Sequence, residues 1–120
     1  MNRVLLLLII SCLCFTGCAS GPATAPDTEL ADEAFELMLK GDYEQAEATL
    51  EVARSINPDN PYVLLNLGVV YQNMGRIDEA REMYVRIILL NPEEMAGNSN
   101  VPDAQGQKIV DLAKQNLENL

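Results

Sequence analysis

The most reactive side chains in this chain of 120 residues are three thiols, and they sit close together: Cys12, Cys14 and Cys18. A thiolate is a nucleophile and a soft metal ligand. Metal capture needs more ligands at set spacing, yet the chain has no histidine and no cysteine after residue 18. Neither a zinc pattern nor a disulfide within the body of the protein is therefore available. Without histidine the chain also lacks the side chain best suited to proton transfer near neutral pH. Thr49 and Ser55 consequently have no base for a nucleophilic triad. The acidic cluster Glu29, Asp32, Glu33 and Glu36 has none of the spacing of a calcium loop and reads as a solvated helix face. The expectation is a protein that is not an enzyme and uses no metal or cofactor. The three thiols have to be read together with the segment they sit in.

That segment has the layout of a targeting signal. Arg3 precedes the apolar run VLLLLIISCLCF, which is followed by the small residues TGCAS. A basic start, a short apolar stretch and small residues at its end describe a secretory signal. The run is about two-thirds of the length a membrane-spanning helix needs. Phe15-Thr16-Gly17-Cys18 resembles the lipobox of bacterial lipoproteins, with Phe15 standing where Leu is usual. The resemblance implies cleavage of residues 1–17 and lipid on the Cys18 sulfur and its new amino group. Ile9-Ile10-Ser11-Cys12 fits the same letters but leaves too short an apolar region before the cut. Ala19, rather than Asp, after the cysteine implies an outer-membrane destination facing the periplasm, with the inner membrane as the alternative. Several acyl chains, at about 0.8 kcal/mol per buried methylene, anchor stably. Residues 18–26 then comprise the lipidated cysteine and a flexible linker, ASGPATAP. Net charge is −10 and the pI about 4.2. That balance argues against nucleic acid and predicts a domain that stands off an anionic membrane surface.

The elements that the anchor would hold are helical. Punctuation repeats every 34 residues: Gly41 with Gly75, Ala46 with Ala80, Asn57-Pro58 with Asn91-Pro92. A fixed period of that length marks a helical repeat array. Leu30, Ala34, Leu37 and Met38 recur at helical spacing, with Asp27 or Thr28 as candidate caps and Gly41 as a stop. Asp42 and Gln45 have the letters of a capping box before the stripe Tyr43, Ala46, Leu50, Ala53 and Ile56. Asn60 and Pro61 then form an N-cap and a first helical position.

Leu64, Leu67, Gly68, Tyr71, Ala80, Tyr84 and Pro92 stand at the offsets of the tetratricopeptide repeat, which the sequence resembles over residues 27–94. The first repeat, 27–60, is the poorer copy, with Glu33 at a normally apolar position that no preceding repeat would cover. The second spans 61–94. Residues 95–101 read as a loop. Residues 102–120 read as a capping helix with the stripe Ile109, Leu112, Ala113, Asn116 and Leu117, suited to closing the last apolar surface. The fold class is therefore all-α: a solenoid of helical hairpins, two repeats and four helices, plus a C-terminal capping helix. Two repeats fall short of the usual three, so stacking into a homodimer is the alternative to a monomer completed by the tail.

In that family the first helix of each pair lines a groove. The resemblance carries its partner-facing positions to Thr28, Ala31, Phe35, Met38 and Leu39, and to Tyr62, Leu65, Val69, Gln72 and Asn73. These are mostly apolar and lack a basic clamp for a C-terminal carboxylate. A protein partner offering a peptide helix or an extended apolar segment is implied. The competing reading packs Phe35, Leu39, Leu65 and Val69 under the tail helix. The implied function is a membrane-anchored interaction scaffold, an assembly factor for a pilus, a secretion system or an envelope complex. The alternative is an adaptor subunit of an envelope enzyme complex, such as one of cell-wall hydrolases.

Overall fold

The computed structural model describes residues 24–97 and 104–120. Among the described residues there are five helices: α1 Pro26–Lys40, α2 Tyr43–Ile56, α3 Pro61–Asn73, α4 Ile77–Leu90 and α5 Ile109–Glu118. The signal, Cys18, residues 19–23 of the linker, residues 98–101 of the expected loop, and the Pro102-Asp103 helix start lie outside the described residues.

Two glycine turns make the hairpins. Gly41 adopts φ 81°, where its N–H donates to Met38 O while the Asp42 N–H donates to Leu37 O. Gly75, at φ 76°, repeats the pattern, with Arg76 N–H bonded to Tyr71 O. A residue with no Cβ enters this left-handed region without penalty and closes the helix C-terminus. At the other end of the hairpins, Asn57-Pro58 ends α2. The Asn60 side chain then caps α3 by accepting from the Tyr62 and Val63 N–H groups.

The hairpins α1–α2 and α3–α4 are the closest packed pairs. Helix α3 lies mainly on α2 and less on α1, and α5 mainly on α4 and less on α3. Because α3 is packed from both sides it is apolar around most of its circumference: Val63, Leu64, Leu67, Val70 and Tyr71 are all buried. Leu50, Tyr84, Ile87 and Ile109 complete the core. Glu33 is exposed, as its lack of a preceding neighbour implied.

Several local expectations are corrected. Helix α1 starts at Pro26, one residue into the expected linker. Its N-cap is Ala25, with no side-chain bond, and not Asp27 or Thr28. Proline at the first helical position needs no N–H partner, which removes part of the demand for a cap. Asp42 occupies the N-cap of α2 but makes no capping hydrogen bond, so the capping box does not form. The terminal helix is shorter than residues 102–120. Residues 104–106 form a turn, with Gly106 at φ 81°. Ala96 N–H donates to Gln107 O and Ile109 N–H to Glu94 O, holding an antiparallel bridge between Met95 and Lys108. Backbone groups committed to that bridge are not free to extend the helix upstream.

Helix α5 is more than a lid. Ile109, Leu112, Ala113 and Asn116 repeat the spacing of Leu64, Leu67, Gly68 and Tyr71, and α5 sits on α4 as α3 sits on α2. It occupies the place that the first helix of a further pair would take, and its outer face is polar: Asp111, Lys114, Gln115 and Glu118 are exposed.

Candidate interaction surface

Helices α1 and α3 run side by side, joined where the Asn66 side-chain amide donates to Ala31 O at 3.4 Å. Their shared face carries the sequence-derived positions. Phe35, Leu65 and Val69 are half-buried, and Leu39 is 50% exposed. Helix α5 makes no packing contact with α1 among the described residues, so Phe35 and Leu39 are not covered by the tail helix. The α1 side of this face is not closed by the tail helix, whereas α3, which carries Leu65 and Val69, does touch α5.

Not every expected groove residue is available. Met38 is buried and belongs to the core, as does Ala31. On a helix, position 38 lies one turn from Ala34 and Ala31, on the side turned inward, and the thioether fills space left by those alanines. Gln72 is occupied, since its Oε1 accepts the Tyr84 hydroxyl at 3.0 Å. The Asn73 side chain donates to Val69 O at 2.8 Å within its own helix. Tyr62 donates its hydroxyl to Met95 O at 2.9 Å, which ties the loop after α4 to the first turn of α3. The surface left free is apolar: Phe35, Leu39, Leu65 and Val69. None of the groove positions from Thr28 to Asn73 is a carboxylate, although the chain carries 18 acidic residues.

Polar contacts hold the two repeats at a set angle around this face. Arg76 reaches back from the α3–α4 turn to Glu47 of α2 at 2.7 Å and forks onto Glu79 of α4. Its guanidinium lies 4.5 Å from the centroid of the Tyr71 ring. Tyr71 in turn donates to Glu51 at 2.8 Å. Burial, then the Glu51 carboxylate, push the Tyr71 hydroxyl well above the usual phenol range. For Tyr84, burial pushes the hydroxyl up to about 12, with the Asn116 amide acting the other way. At the opposite end of the hairpins, the buried Asp27 carboxylate accepts from Asn60 Nδ2 at 2.7 Å and Asn57 Nδ2 at 3.1 Å. The Asn60 bond is the largest cause holding its pKa below the usual carboxylate value.

Sequence reasoning missed two features of the surface. One is a cleft of about 790 Å³ on the other side of the domain, between α2 and α4. Leu64 and Met83 line it together with Val85, Leu89 and the charged side chains of Arg54, Arg81 and Glu82. It is open because the second helices of adjacent pairs diverge, which no residue pattern announces. The other is a group of exposed apolar side chains at the ends of α2 and α4. Here there was a signal: the run Ile87-Ile88-Leu89-Leu90 has more apolar residues than a one-sided helix can bury. Groups of three or more acidic or thiol side chains suited to a metal ion are absent among the described residues.

Comparison with known proteins agrees with this geometry. The profile of the family described as Tetratricopeptide repeat matches residues 37–97. A human relative, Protein O-mannosyl-transferase TMTC2, is 33% identical over 58 residues, covering 48% of this chain and 7% of that protein. The chain thus spans a small fraction of the length of that relative. No solved structure matches. With the profile covering half the chain and the helical hairpins packed as described, the chain belongs to the tetratricopeptide repeat family.

Proposed function

We propose that this protein is a scaffold tethered to a membrane by lipid on Cys18, and that it holds a partner protein against the shared face of α1 and α3. Family membership implies protein partners. The finer reading is carried by one observation: Phe35, Leu39, Leu65 and Val69 form a partly exposed apolar face without a carboxylate. Such a face suits an apolar helix or extended segment of another protein. The lipobox-like Phe15-Thr16-Gly17-Cys18 supports the anchor. The destination we propose is the outer membrane, with the domain in the periplasm. The role is that of an assembly factor for a pilus, a secretion system or an envelope complex.

The scaffold acts as a monomer in this reading. Its two terminal faces would meet if copies stacked end to end. One presents the exposed Glu29, Asp32, Glu33 and Glu36, and the other Asp111, Lys114, Gln115 and Glu118. The first face is wholly acidic, and the second, with one lysine against two carboxylates, is net acidic as well, which opposes stacking.

The test has two arms. Labelling with a palmitate analogue reports the anchor, and a Cys18→Ser variant that takes up as much label as wild type would end the lipoprotein reading. Affinity capture from membranes then compares wild type with Leu39→Ser and Phe35→Ala. Partners should be lost while the helical content is kept, and partners that survive both substitutions would sink the groove. Capture of envelope hydrolases instead of assembly components would favour the adaptor alternative.

A further inference from the structure

Four of the large apolar side chains left exposed gather at one end of the domain. Ile56 closes α2 and is 51% exposed, Leu89 and Leu90 close α4 at 78% and 37%, and Met95 follows at 49%. Three contacts place them at the same end as the start of α1. Asn57, next to Ile56, donates to Asp27 in the first turn of α1. Arg86, just before the last turn of α4, pairs with Asp59 at 2.6 Å. Tyr62, in the first turn of α3, donates to Met95 O. The chain therefore enters the domain at the edge that carries its unburied leucines.

Charge at this edge is neutralised only in part within the protein. Asp59 pairs with Arg86, and Glu93 pairs with Lys108 at 2.6 Å. Glu29 and Glu94 are left without ion partners among the described residues, and the Asp27 carboxylate is held by amides alone. The opposite end is more polar, with Lys40, Asp42, Glu44, Gln45 and Asn73 exposed beside Leu39.

We propose that this edge rests on lipid: Ile56, Leu89, Leu90 and Met95 form a contact surface for the zwitterionic face of the bilayer to which Cys18 is anchored. The proposal rests on the anchoring reading above. Its second support is chain length. The seven residues Ala19 to Ala25 span at most about 25 Å even when fully extended. Helix α2, 14 residues long, is itself about 21 Å. An anchored chain thus keeps the apolar edge close to the headgroups and its opposite end a helix length farther away. Shallow insertion of exposed leucines is favourable in proportion to the apolar area buried. Glu29 and Glu94 oppose contact with an anionic surface, so the partner is neutral lipid. The domain then lies edge-down, with the α1–α3 face turned sideways toward a partner in the aqueous phase.

The chain has no tryptophan, which makes single-tryptophan reporters possible. The chain beginning at Cys18 has one thiol, so it is coupled through it to phosphatidylcholine vesicles bearing a maleimide lipid. Attachment is then independent of acylation in cells. Leu89→Trp is compared with Gln45→Trp, in the exposed first turn of α2. Brominated phosphatidylcholine should quench Leu89→Trp at least about threefold more than Gln45→Trp. Adding Ile56→Ser and Leu90→Ser should remove roughly half or more of that quenching, and so should anionic lipid. Equal quenching of the two reporters, or quenching unaffected by the serines, overturns the proposal. Failure of palmitate labelling at Cys18 in cells would instead sink the anchor alone, since the vesicle assay does not depend on it.

Discussion

The ring of Tyr84 occupies the space that a side chain on Gly68 would need: a Cβ built there would lie 2.8 Å from Tyr84 Cζ and 2.9 Å from Cδ1. The closest approach of α3 to α4 depends on that missing atom. Gly68→Ala is expected to destabilise the domain by about 1–3 kcal/mol through overpacking, visible as a lower denaturation midpoint. Because the ring and not the hydroxyl makes the clash, Tyr84→Phe should leave the defect in place, while Tyr84→Leu should relieve part of it. A Gly68→Ala chain as stable as wild type would show that α3 and α4 can separate freely.

Asp27 gives a test at low pH. Its carboxylate is held below its ordinary pKa chiefly by the Asn60 amide, so the folded state binds the proton less readily than the unfolded chain. The stabilisation is fully present above the unfolded value of about 4 and is lost as pH falls through the depressed folded value. Asp27→Asn, which retains an acceptor but no charge, should flatten this part of the acid unfolding profile. Asp27→Ala leaves two amides short of a partner and should cost about 1–2 kcal/mol at neutral pH.

At high pH the sign reverses. The Tyr84 hydroxyl ionises in the folded state only at about 12, above its ordinary value near 10. The folded protein therefore keeps a proton that the unfolded chain releases, and stability declines as pH rises from about 10. Ultraviolet difference titration of wild type against Tyr84→Phe should isolate a late-ionising phenol. If the missing signal titrates near 10, the side chain is not buried as described.

Groove and core residues should separate in a stability scan. Leu39→Ser, at a half-exposed position, is expected to change stability by no more than about 0.5 kcal/mol. Leu67→Ala, at a fully buried one, should cost about 2–5 kcal/mol. Leu65→Ala and Val69→Ala, half-buried, should fall between these. Chemical denaturation ranks all four. A Leu39 variant as damaging as the Leu67 variant would place that residue in the core.

Arg76 couples the repeats through Glu47 of the first, while Glu79 and the Tyr71 ring of its own repeat hold its guanidinium in place. A lysine cannot reproduce a guanidinium fork on Glu79 with a second arm on Glu47. Arg76→Lys is therefore expected to behave like Arg76→Ala and not like wild type. Since these groups are partly solvated, the difference should shrink as salt is added. Melting curves at low and high ionic strength check both statements.

Much of the fold was legible before any coordinate. The 34-residue period, the turns at Gly41 and Gly75, and the Asn60-Pro61 start are local signals, written in φ preference and hydrogen-bonding groups that act within a few residues. Gly68 and Tyr84 stood out as residues at the repeat's offsets, but that the ring of one fills the space over the other is shown by the packing of α3 on α4. The boundaries of α1 and α5 were not legible. Capping letters such as Asp42 and Gln45 permit a bond that the backbone here does not make, and Asp27 spends its carboxylate on residues 30 and 33 positions away.

By itself the sequence determined that this chain is a short helical repeat array, acidic, and preceded by a segment with the marks of a lipid anchor. Those properties follow from periodicity, composition and short motifs, all of which are local in the chain. Which apolar residues remain uncovered was decided only by tertiary structure. Met38 and Leu39 are neighbours of similar character, yet one is core and the other surface, because a helix turns about 100° per residue and only one of them meets a neighbouring element. In the same way α5 packs on α4 and leaves Phe35 open, and the antiparallel hairpins bring Ile56, Leu89, Leu90 and Met95 to the edge where the chain enters. Burial depends on what is across the gap, and that is set by the packing of helices far apart in the sequence.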